Sequence, residues 1–360
     1  MVRIGIIGTG GMAEYQAKRF SKINNCQLWA CKDQHTEHAI KFAERFHIPY
    51  WYTNVDTMLS DPSNICDAYT CAVLDERHAF IGEKLLSSGK PLLMEKPLGR
   101  TLLEAKQLYE QAQKIKIVNL VNFSKRNAPA LWALNKLLKD NYLGRIYFIK
   151  AEYHQSWVAT KCWGDWVTTL RWRWRLQPQT STAGIIGDLG SHVVDALLLL
   201  FGSIIPRGIS EIIRLDEAIQ NGVIPQQKID SSFFNQQGTV PIKASGSFYF
   251  IAPNETTVEG TIDLSWISPN TVDQFKITIY GENEHAVLDL SISKDEIYIY
   301  DQNNNLQDIM THPAVPSTYE LLINQAVNKN SEIIIPIPDF QQGYLVQRTL
   351  DKLFPGVLPT

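Results

Sequence analysis

The sequence predicts an α/β protein of two domains, the first built on a parallel sheet and the second on a large, mostly antiparallel open sheet. The chain has 360 residues, which is more than one hydrophobic core usually organises. Residues 1–122 alternate short apolar runs with helical segments at βαβ spacing, whereas residues 123–360 contain several short strands of alternating pattern. We therefore place the domain boundary near residue 122.

A glycine-rich turn follows the first predicted strand. Val2 to Ile7 is a short apolar run, closed by Gly8-Thr9-Gly10-Gly11-Met12-Ala13 before a helix begins. Glycine at position 8 permits a tight turn, glycine at 10 lets the backbone approach a pyrophosphate, and alanine at 13 lets the helix pack closely on the strand. The N–H groups at the start of the helix can face the phosphates. In its βαβ context, this turn predicts a Rossmann domain that binds a dinucleotide.

The end of the second strand bears on which dinucleotide is bound. Gln27 to Cys31 is followed by Lys32 and Asp33, and Asp33 lies 20 residues after Ala13. A carboxylate at this place can accept hydrogen bonds from both hydroxyls of an adenosine ribose, which favours NAD. Lys32 could instead contact the 2'-phosphate of NADP. The expected cofactor is thus NAD or NADP, with NAD favoured by Asp33.

A later strand of the first domain ends in charged residues. Leu92-Leu93-Met94 is a short apolar run, and Glu95-Lys96-Pro97 follows it. Because ligands bind beyond the carboxyl ends of the strands in an open parallel sheet, Lys96 can act on a bound substrate. The other elements predicted in this domain are helices at 36–46, 76–88 and 101–115, the last with a Thr101–Glu104 capping box, and strands at 66–72 and 117–122.

The second domain is predicted from alternating strands between helices. Short strands with turn residues between them favour antiparallel pairing. An open sheet of this kind can join subunits, so we expect a homodimer or homotetramer. The predicted elements are helices at 129–139, 318–328 and 340–353, and strands at 144–153, 243–251, 257–266, 275–280, 285–290 and 296–300.

A second informative stretch runs from Ala183 to Asp195 and contains three glycines. If it is helical from about Gly187, Asp188 and His192 lie four residues apart on one face and can contact one substrate together. Each glycine inside a helix costs about 1 kcal/mol relative to alanine. Gly184, Gly187 and Gly190 therefore indicate that something approaches this helix closely.

An aromatic stretch precedes this glycine-rich segment. It holds five of the nine tryptophans, which can stack on the C–H faces of sugars or pack a core or interface. Packing is favoured for Trp163 and Trp166, and both interpretations stay open for Trp157, Trp172 and Trp174. Tyr153 and His154, at the end of the preceding strand, are candidates for the rim of a substrate pocket.

Composition excludes several other classes of function. A formal charge of -3 and the lack of a basic run argue against a nucleic-acid partner. The apolar stretch Val193–Phe201 is too short to span a bilayer. Met1-Val2-Arg3 leads directly into a strand and leaves no room for a signal peptide, so we expect a cytoplasmic protein with no membrane partner. The five cysteines form no Cys-x-x-Cys pair, and four of them fall on or beside predicted buried strands, so we expect free thiols and no metal site.

Taken together, these motifs resemble the Gfo/Idh/MocA oxidoreductase family. The resemblance covers nearly the whole chain. It rests on the Gly-x-Gly-x-x-Ala turn, on Glu95-Lys96-Pro97 with Thr101-x-x-Glu104-Ala105, and on Asp188-Leu189-Gly190-x-His192-x-x-Asp195. The family resemblance implies a Rossmann domain at 1–122 and a substrate-binding and oligomerisation α/β domain at 123–360.

The resemblance also implies roles for individual residues. Glu95 and Lys96 are expected at the nicotinamide end of the cofactor, with a cis bond before Pro97. Trp174-Arg175 matches a pair that holds cofactor or substrate in many members. The residues implied in binding the pyrophosphate and the adenosine ribose are Gly8, Gly10, Gly11, Met12 and Asp33.

One segment departs from the family pattern. Relatives commonly carry Thr-Pro-Asn where this chain has Val73-Leu74-Asp75, while His78 is kept. The asparagine amide helps to place the nicotinamide ribose in relatives, and Asp75 presents acceptors only. Either the ribose hydroxyls satisfy Asp75, or this loop holds the cofactor differently. His78 is expected to be structural rather than catalytic.

The expected activity is hydride transfer between nicotinamide and a secondary hydroxyl of a sugar, sugar derivative, inositol or similar polyol. The residues expected to be catalytic are Lys96, Asp188 and His192. His192 is the favoured base, because free imidazole titrates near pH 6.5. Lys96 can accept the proton or stabilise the alkoxide, and Asp188 can bind a neighbouring hydroxyl or orient the other two. Two alternatives resemble other members of the fold: an NAD-dependent glycoside hydrolase, and a regulator that binds dinucleotide without turnover.

Overall fold

A computed structural model of the chain shows two compact units. It describes residues 1–235, 238–252, 256–269, 271–327 and 336–359. The first unit comprises Met1–Phe123 and Pro316–Leu345, and the second comprises Ser124–Val315 and Val346–Thr360. None of the helices in these described ranges is long and apolar enough to cross a membrane.

The first unit alternates strands and helices throughout residues 1–123. Its strands are β1 (Val2–Ile7), β2 (Cys26–Lys32), β3 (Tyr50–Tyr52), β4 (Ala68–Cys71), β5 (Leu92–Met94) and β6 (Asn119–Val121). Its helices in this range are α1 (Gly11–Phe20), α2 (Thr36–Phe46), α3 (Val55–Ser60), α4 (His78–Ser87) and α5 (Leu102–Ile115). A 3-10 turn at Asp75–Arg77 precedes α4. The Thr101–Glu104 capping box at the start of α5 is confirmed, with both of its hydrogen bonds present.

The strands of this unit form one parallel sheet in the order β3-β2-β1-β4-β5-β6. The predicted Rossmann fold is therefore confirmed. Strand order reverses between β1 and β4, and ligands bind beyond the carboxyl ends of the strands at such a switch point. The glycine turn follows β1 at that edge, and Glu95-Lys96-Pro97 follows β5 at the same edge.

The second unit contains the larger sheet. Its strands are β7 (Phe148–His154), β8 (Ile205–Arg214), β9 (Pro241–Ile251), β10 (Thr257–Ser265), β11 (Gln274–Tyr280), β12 (Glu284–Asp289), β13 (Glu296–Asp301) and β14 (Leu306–Thr311). They pair in the order β14-β13-β12-β11-β7-β10-β9-β8. Only β7 and β10 pair in parallel among these described strands, so the prediction of a mostly antiparallel sheet is confirmed.

Short and long helices accompany this sheet. They are α6 (Pro129–Lys139), α7 (Trp157–Thr160), α8 (Leu170–Arg173), α9 (Ser191–Phe201) and α10 (Leu215–Gln220), with a π-helical turn at Ile186–Gly190 and 3-10 turns at Ser124–Asn127, Trp174–Leu176 and Ser231–Phe233. Burial alternates along β7, where Ile149, Ala151 and Tyr153 are buried and their neighbours are partly exposed. One face of the sheet is therefore covered, and the other is partly open.

The last two helices are α11 (Thr318–Val327) and α12 (Phe340–Leu353). Residue 328, the predicted end of the first of these helices, lies outside the described residues. The segment from residue 316 to 345 belongs to the first unit, which corrects the predicted domain extent of 123–360. The reason is packing, because Tyr319, Leu322 and Ile323 of α11 share a hydrophobic core with strands β1, β4 and β5.

A buried ion pair holds α9 in the second unit. The Arg126 guanidinium donates from Nε and Nη2 to the two carboxylate oxygens of Asp195, with both distances 2.7 Å. Both side chains are almost fully buried. The Trp132 indole also donates to the Arg126 carbonyl oxygen at 2.7 Å. Asp195 is part of the predicted family pattern, but its arginine partner was not predicted.

Replacing Arg126 with Met should destabilise the second unit by about 3–5 kcal/mol, because the buried Asp195 carboxylate loses its charge partner. Urea unfolding followed by tryptophan fluorescence measures this loss. Adding Asp195→Leu should restore most of the stability, since no buried charge then remains.

The matched control is Arg207→Met, which removes an exposed pair with Glu259 and should cost less than about 1 kcal/mol. Equal losses in the two arginine variants would show that Arg126 does not depend on its buried partner.

Candidate active site

The glycine turn after β1 has the geometry that a pyrophosphate requires. Gly8 has φ +96°, and a Cβ there would lie 2.3 Å from the carbonyl oxygen of Ala72, so only glycine fits. A Cβ on Gly10 would meet no described protein atom within 4 Å. Gly10 therefore leaves open space beside the start of α1, where the first N–H groups have no intrahelical acceptor.

Asp33 lies beside this turn. Its Oδ2 accepts a hydrogen bond from the Thr9 hydroxyl at 2.7 Å, and its Oδ1 accepts one from the His35 N–H at 2.9 Å. The His38 ring lies 3.9 Å from the same carboxylate. The Asp33 carboxylate is thereby fixed in orientation and still has lone pairs for further donors. These residues and the cradle at Gly8 fit a dinucleotide.

Glu95, which precedes Lys96, is buried in a polar network of the first unit. Its Oε1 accepts hydrogen bonds from the side-chain amides of Gln16 and Asn122, both at 2.7 Å. The Asn122 amide also donates to the Tyr319 hydroxyl at 2.9 Å, which links α11 to the same network. Burial raises the pKa of the Glu95 carboxyl. In this unit Glu95 thus anchors the chain next to Lys96 from within the core.

His78 anchors the other side of Lys96. Its Nδ1 lies 2.7 Å from the carbonyl oxygen of Pro97, and its Nε2 lies 3.1 Å from that of Val73. The ring is buried at the start of α4 and joins the loop after β5 to the loop after β4. This position agrees with the structural role expected for His78. The peptide bond between Lys96 and Pro97 is cis, as the family pattern implied, and Lys96 itself is half-buried.

The loop at residues 73–75, which departs from the family pattern, leads into a 3-10 turn. Asp75 is buried and begins the 3-10 turn that leads into α4. The Val73 carbonyl next to it is held by His78. Asp75 therefore stands on the same joined pair of loops as Lys96.

The glycine-rich segment in the second unit is π-helical at Ile186–Gly190 and α-helical from Ser191. Two of its glycines lie too close to other backbone atoms for any side chain. A Cβ on Gly184 would lie 2.5 Å from the Pro241 carbonyl oxygen, and a Cβ on Gly187 would lie 2.0 Å from the Thr182 carbonyl oxygen. The close approach predicted from these glycines exists, and for both positions the approaching group is the chain's own backbone.

Asp188 and His192 both belong to this segment. A π-turn closes with i→i+5 hydrogen bonds, so residues four apart remain close to one turn apart. The Asp188 carboxylate lies 3.5 Å from Nε of Arg175, and both side chains are one-fifth exposed. His192 is largely buried, with its ring 6.1 Å from that of Tyr153.

Tyr153 is a neighbour of His192 and not part of an open rim. Its side chain is buried, and burial, followed by the nearby Asp273 carboxylate, raises the pKa of its hydroxyl well above the ordinary value. The Lys125 ammonium lies 4.6 Å from the Tyr153 ring centroid. Tyr153 is therefore placed to support the His192 ring. His154, the other rim candidate, lies 3.6 Å from Asp263.

Trp157 lies in the core, which favours packing over substrate contact, the two interpretations that the sequence left open. Its side chain is fully buried, and its ring stacks on Trp163 at 5.5 Å and packs against Trp266 at 5.1 Å. No face of this indole is left for a sugar. Trp166 is also fully buried, with its N–H donating to the Val158 carbonyl at 2.9 Å, as expected for packing.

Two family models match the chain. A model described as an oxidoreductase family with an NAD-binding Rossmann fold matches residues 2–123, and the GFO/IDH/MocA C-terminal domain matches residues 131–287. The chain belongs to the Gfo/Idh/MocA oxidoreductase family. The first match covers the whole parallel sheet of the first unit, and the second ends inside β12.

Individual members of the Gfo/Idh/MocA family are similar in sequence to parts of this chain. Levoglucosan dehydrogenase of Pseudarthrobacter phenanthrenivorans is 28% identical over 249 residues, or 66% of this chain and 59% of the relative. Glucose-6-phosphate 3-dehydrogenase of Bacillus subtilis is 28% identical over 204 residues, which is 56% of this chain and 55% of the relative. The chain thus spans less than two thirds of the length of either relative.

A solved structure extends the similarity in fold to nearly the full chain. The inositol dehydrogenase homologue of Azotobacter vinelandii, in complex with NAD⁺, has a TM-score of 0.78 at 15% identity. The match covers 98% of this chain and 94% of that chain. The similarity in fold therefore extends over both units.

Several residues around the site were not predicted. Thr9 orients Asp33, and Gln16, Asn122 and Tyr319 surround Glu95. Gln16 had a signal in the sequence, because it falls on the buried face of α1 with Ala13, Ala17 and Phe20. A polar residue on an apolar helix face calls for a buried partner. Asn122 and Tyr319 had no such signal, since they meet only in the folded unit.

Glu95→Gln should change how stability depends on pH. Because burial raises the pKa of Glu95 above its ordinary value of 4.5, the folded protein holds this proton more tightly than the unfolded chain does. That stabilisation is fully present below the ordinary pKa and is lost as the pH rises through the raised pKa. The wild type should therefore lose stability relative to Glu95→Gln above about pH 4.5, by up to about 1.4 kcal/mol per pH unit.

Urea unfolding of both proteins at a series of pH values measures this difference. Glu110→Gln serves as control, because Glu110 is half-exposed on α5 beside Lys106, and its curve should stay parallel to that of the wild type. A difference between Glu95→Gln and the wild type that does not vary with pH would rule out the raised pKa.

Proposed function

We propose that the protein is an NAD(P)-dependent dehydrogenase that acts on a secondary hydroxyl of a sugar, sugar derivative, inositol or similar polyol. The observation that carries the proposal is the setting of Lys96. This lysine follows β5 at the edge of the sheet where the glycine turn also lies, and its neighbours Glu95 and Pro97 are both held by buried side chains. The names of the two relatives, a levoglucosan dehydrogenase and a glucose-6-phosphate 3-dehydrogenase, support the substrate class.

The cofactor contacts follow from the first unit. The N–H groups at Gly10, Gly11 and Met12 bind the pyrophosphate beside the tight turn at Gly8, and Asp33 binds the adenosine ribose. When bound, the nicotinamide supplies the hydride chemistry. NAD is the favoured cofactor, because the Asp33 carboxylate would repel the 2'-phosphate of NADP.

The nicotinamide end of the site has its own contacts. Glu95 acts from the core by fixing the loop, while Lys96 and Asp75 reach the ligand. The Asp75 carboxylate accepts hydrogen bonds from the ribose hydroxyls, in place of the asparagine amide of relatives.

The chain's own catalytic residues handle the proton of the substrate hydroxyl. In the oxidising direction His192 accepts this proton, and in the reducing direction it returns it. In the first unit, the Lys96 ammonium has the chemistry to stabilise negative charge on an alkoxide oxygen. In the second unit, Asp188 binds a neighbouring hydroxyl, with its carboxylate oriented by Arg175.

Asp33→Ser should shift cofactor preference towards NADP. The ratio of kcat/KM for NADP⁺ to that for NAD⁺ should rise at least about tenfold, because a charge repulsion and a ribose hydrogen bond are removed together. Initial rates of reduced-nicotinamide formation with both cofactors measure the ratio. Adding Lys32→Ala should reverse part of the gain if Lys32 contacts the phosphate. Asp56→Ser, at an exposed carboxylate paired with Lys84, is the control, and an equal shift in that variant would refute the role of Asp33.

Lys96→Met and His192→Ala should each lower kcat about 100-fold or more on the true substrate, because proton transfer and charge stabilisation are lost. A panel of polyols, assayed by the absorbance of NADH or NADPH, first identifies that substrate. Lys106→Met and His312→Ala are matched controls, since the Lys106 side chain is half-exposed and His312 is partly exposed.

Near-wild-type turnover in both site variants would disprove the assignment. Cleavage of a glycoside without net reduction of NAD⁺ would instead identify the hydrolase class. A cytoplasmic location and a homodimer or homotetramer remain predictions.

A further inference from the structure

A long connection joins α10 to β9 in the second unit. Its residues 223–234, which we call the strap, contain no helix or strand apart from the 3-10 turn at Ser231–Phe233. Within the strap, Ile224 and Phe233 are buried, and most of the other residues are exposed. Two apolar side chains, one near each end, therefore anchor the strap to the unit.

The second of these anchors packs on the aromatic stretch. The Phe233 ring meets the Trp166 ring edge-on, with the two centroids 6.2 Å apart. The Arg173 guanidinium carbon lies 4.6 Å from the centroid of the Phe233 ring. Nη2 of the same arginine donates to the Asp230 carboxylate and to the Ser232 hydroxyl. Three residues of the strap thus contact Arg173 together.

Further contacts between the strap and this surface are polar and weak. The Gln177 amide donates to Ser232 Oγ at 3.0 Å, and the Lys161 ammonium donates to Gln227 Oε1 at 3.2 Å. Among the described residues, no backbone–backbone hydrogen bond joins the strap to the aromatic stretch. The Asp230 side chain is more than half exposed, and exposed ion pairs contribute little net stability. The strap can therefore leave this surface without unfolding the sheet.

One donor of Arg173 lacks an acceptor while the strap is in place. Its Nε–H is buried and hydrogen-bonds to no described residue. A buried donor without an acceptor destabilises the arrangement that buries it. Because departure of the strap exposes this donor to water, the donor lowers the free energy that is needed for the strap to open.

Glycines in the left-handed region lie on both sides of the strap. Gly222 has φ +70°, and a Cβ there would meet no described atom within 4 Å. Gly238 has φ +90° and exchanges two backbone hydrogen bonds with Asn235, at 2.9 and 3.1 Å. Glycine adopts more backbone conformations than other residues, so rotation at these two positions can move the strap as a whole.

The surface beneath the strap leads directly to Asp188. Arg173 is the last residue of α8, and Arg175 lies in the 3-10 turn that follows it. The Arg175 guanidinium packs on the Trp172 ring and lies 3.5 Å from the Asp188 carboxylate. One short helical segment therefore contacts the strap through Arg173 and the proposed substrate residue Asp188 through Arg175.

We propose that the strap is a lid over the substrate side of the second unit. The lid is closed when Arg173 binds Asp230. It opens by rotation at Gly222 and Gly238, and a polyol can then reach Asp188. A lid of this kind shields the reacting substrate from water and delays its release. The inference rests on the proposed dehydrogenase function and adds how the substrate enters and leaves.

The first test measures opening of the lid and needs no turnover. Trypsin cleaves after Lys228, an exposed residue of the strap, once the strap leaves the surface. The full-length protein is digested briefly, and mass spectrometry follows the fragments. Asp230→Asn should speed this cleavage about two- to fivefold, and Phe233→Ala about tenfold or more, because each removes a contact of the closed lid. Cleavage after Lys294, in an exposed loop of the same unit, should keep its rate.

The second test measures kinetics with the polyol that the substrate panel identifies. Phe233→Ala should raise KM for this polyol about tenfold and leave KM for NAD⁺ nearly unchanged, because the closed lid retains the polyol. Phe233→Leu keeps an apolar anchor and should restore most of the affinity. Adding Asp230→Asn to Arg173→Gln should change KM no further, since both remove one contact. Arg207→Gln is the control, because Arg207 also lies over an aromatic ring and beside one carboxylate.

Saturating NAD⁺ and this polyol together should also slow cleavage after Lys228 about fivefold in the wild type. Equal cleavage rates in the wild type, Asp230→Asn and Phe233→Ala would overturn the lid, whatever the activity. An unchanged KM for the polyol in Phe233→Ala would also overturn it and leave the dehydrogenase function intact. If no polyol in the panel reduces NAD⁺ or NADP⁺, the proposed function fails, and the cleavage rates still decide whether the strap opens.

Discussion

The buried carboxyl of Glu95 is the interaction on which the first unit and its proposed chemistry depend. One oxygen of this group accepts hydrogen bonds from the side-chain amides of Gln16 and Asn122. The Asn122 amide also donates to the Tyr319 hydroxyl on α11. Helix α1, strand β5, the end of β6 and a helix from the far end of the chain are thereby joined at one point. Since Lys96 is the next residue, this buried hydrogen-bond network fixes the chain beside the proposed catalytic lysine.

In the second unit, a buried ion pair holds helix α9 in place. Asp195 on α9 is held by Arg126, one turn of helix away from His192. The π-turn before α9 and the glycines within it let the backbone pass close to Thr182 and Pro241. Asp188 and His192 are consequently presented by a segment whose path is fixed by its own backbone contacts, and the aromatic stretch supplies Arg175 as a partner for Asp188.

Elements with local signals were predicted well. Helices α2, α6 and α12 have the predicted bounds, and the capping box at Thr101 marks α5, because periodicity and caps act within a few residues of sequence. Strands β3, β8 and β14 were missed. They are short or partly exposed, and such strands depend on pairing with distant partners. The same limit applies to α11, whose apolar face gives no sign of which unit it joins.

For the proposed site, the sequence by itself determined the types and order of the candidate groups: a glycine turn, Asp33, Lys96, and Asp188 with His192. Those groups follow from chemistry that requires particular side chains at particular spacings. Only the tertiary structure decided which side chains support them, such as Thr9, Gln16, His78 and Arg126. It also placed Trp157 in the core and Arg175 beside Asp188. The physical reason is that burial and charge pairing are formed between residues far apart in the chain, and no short-range pattern records them.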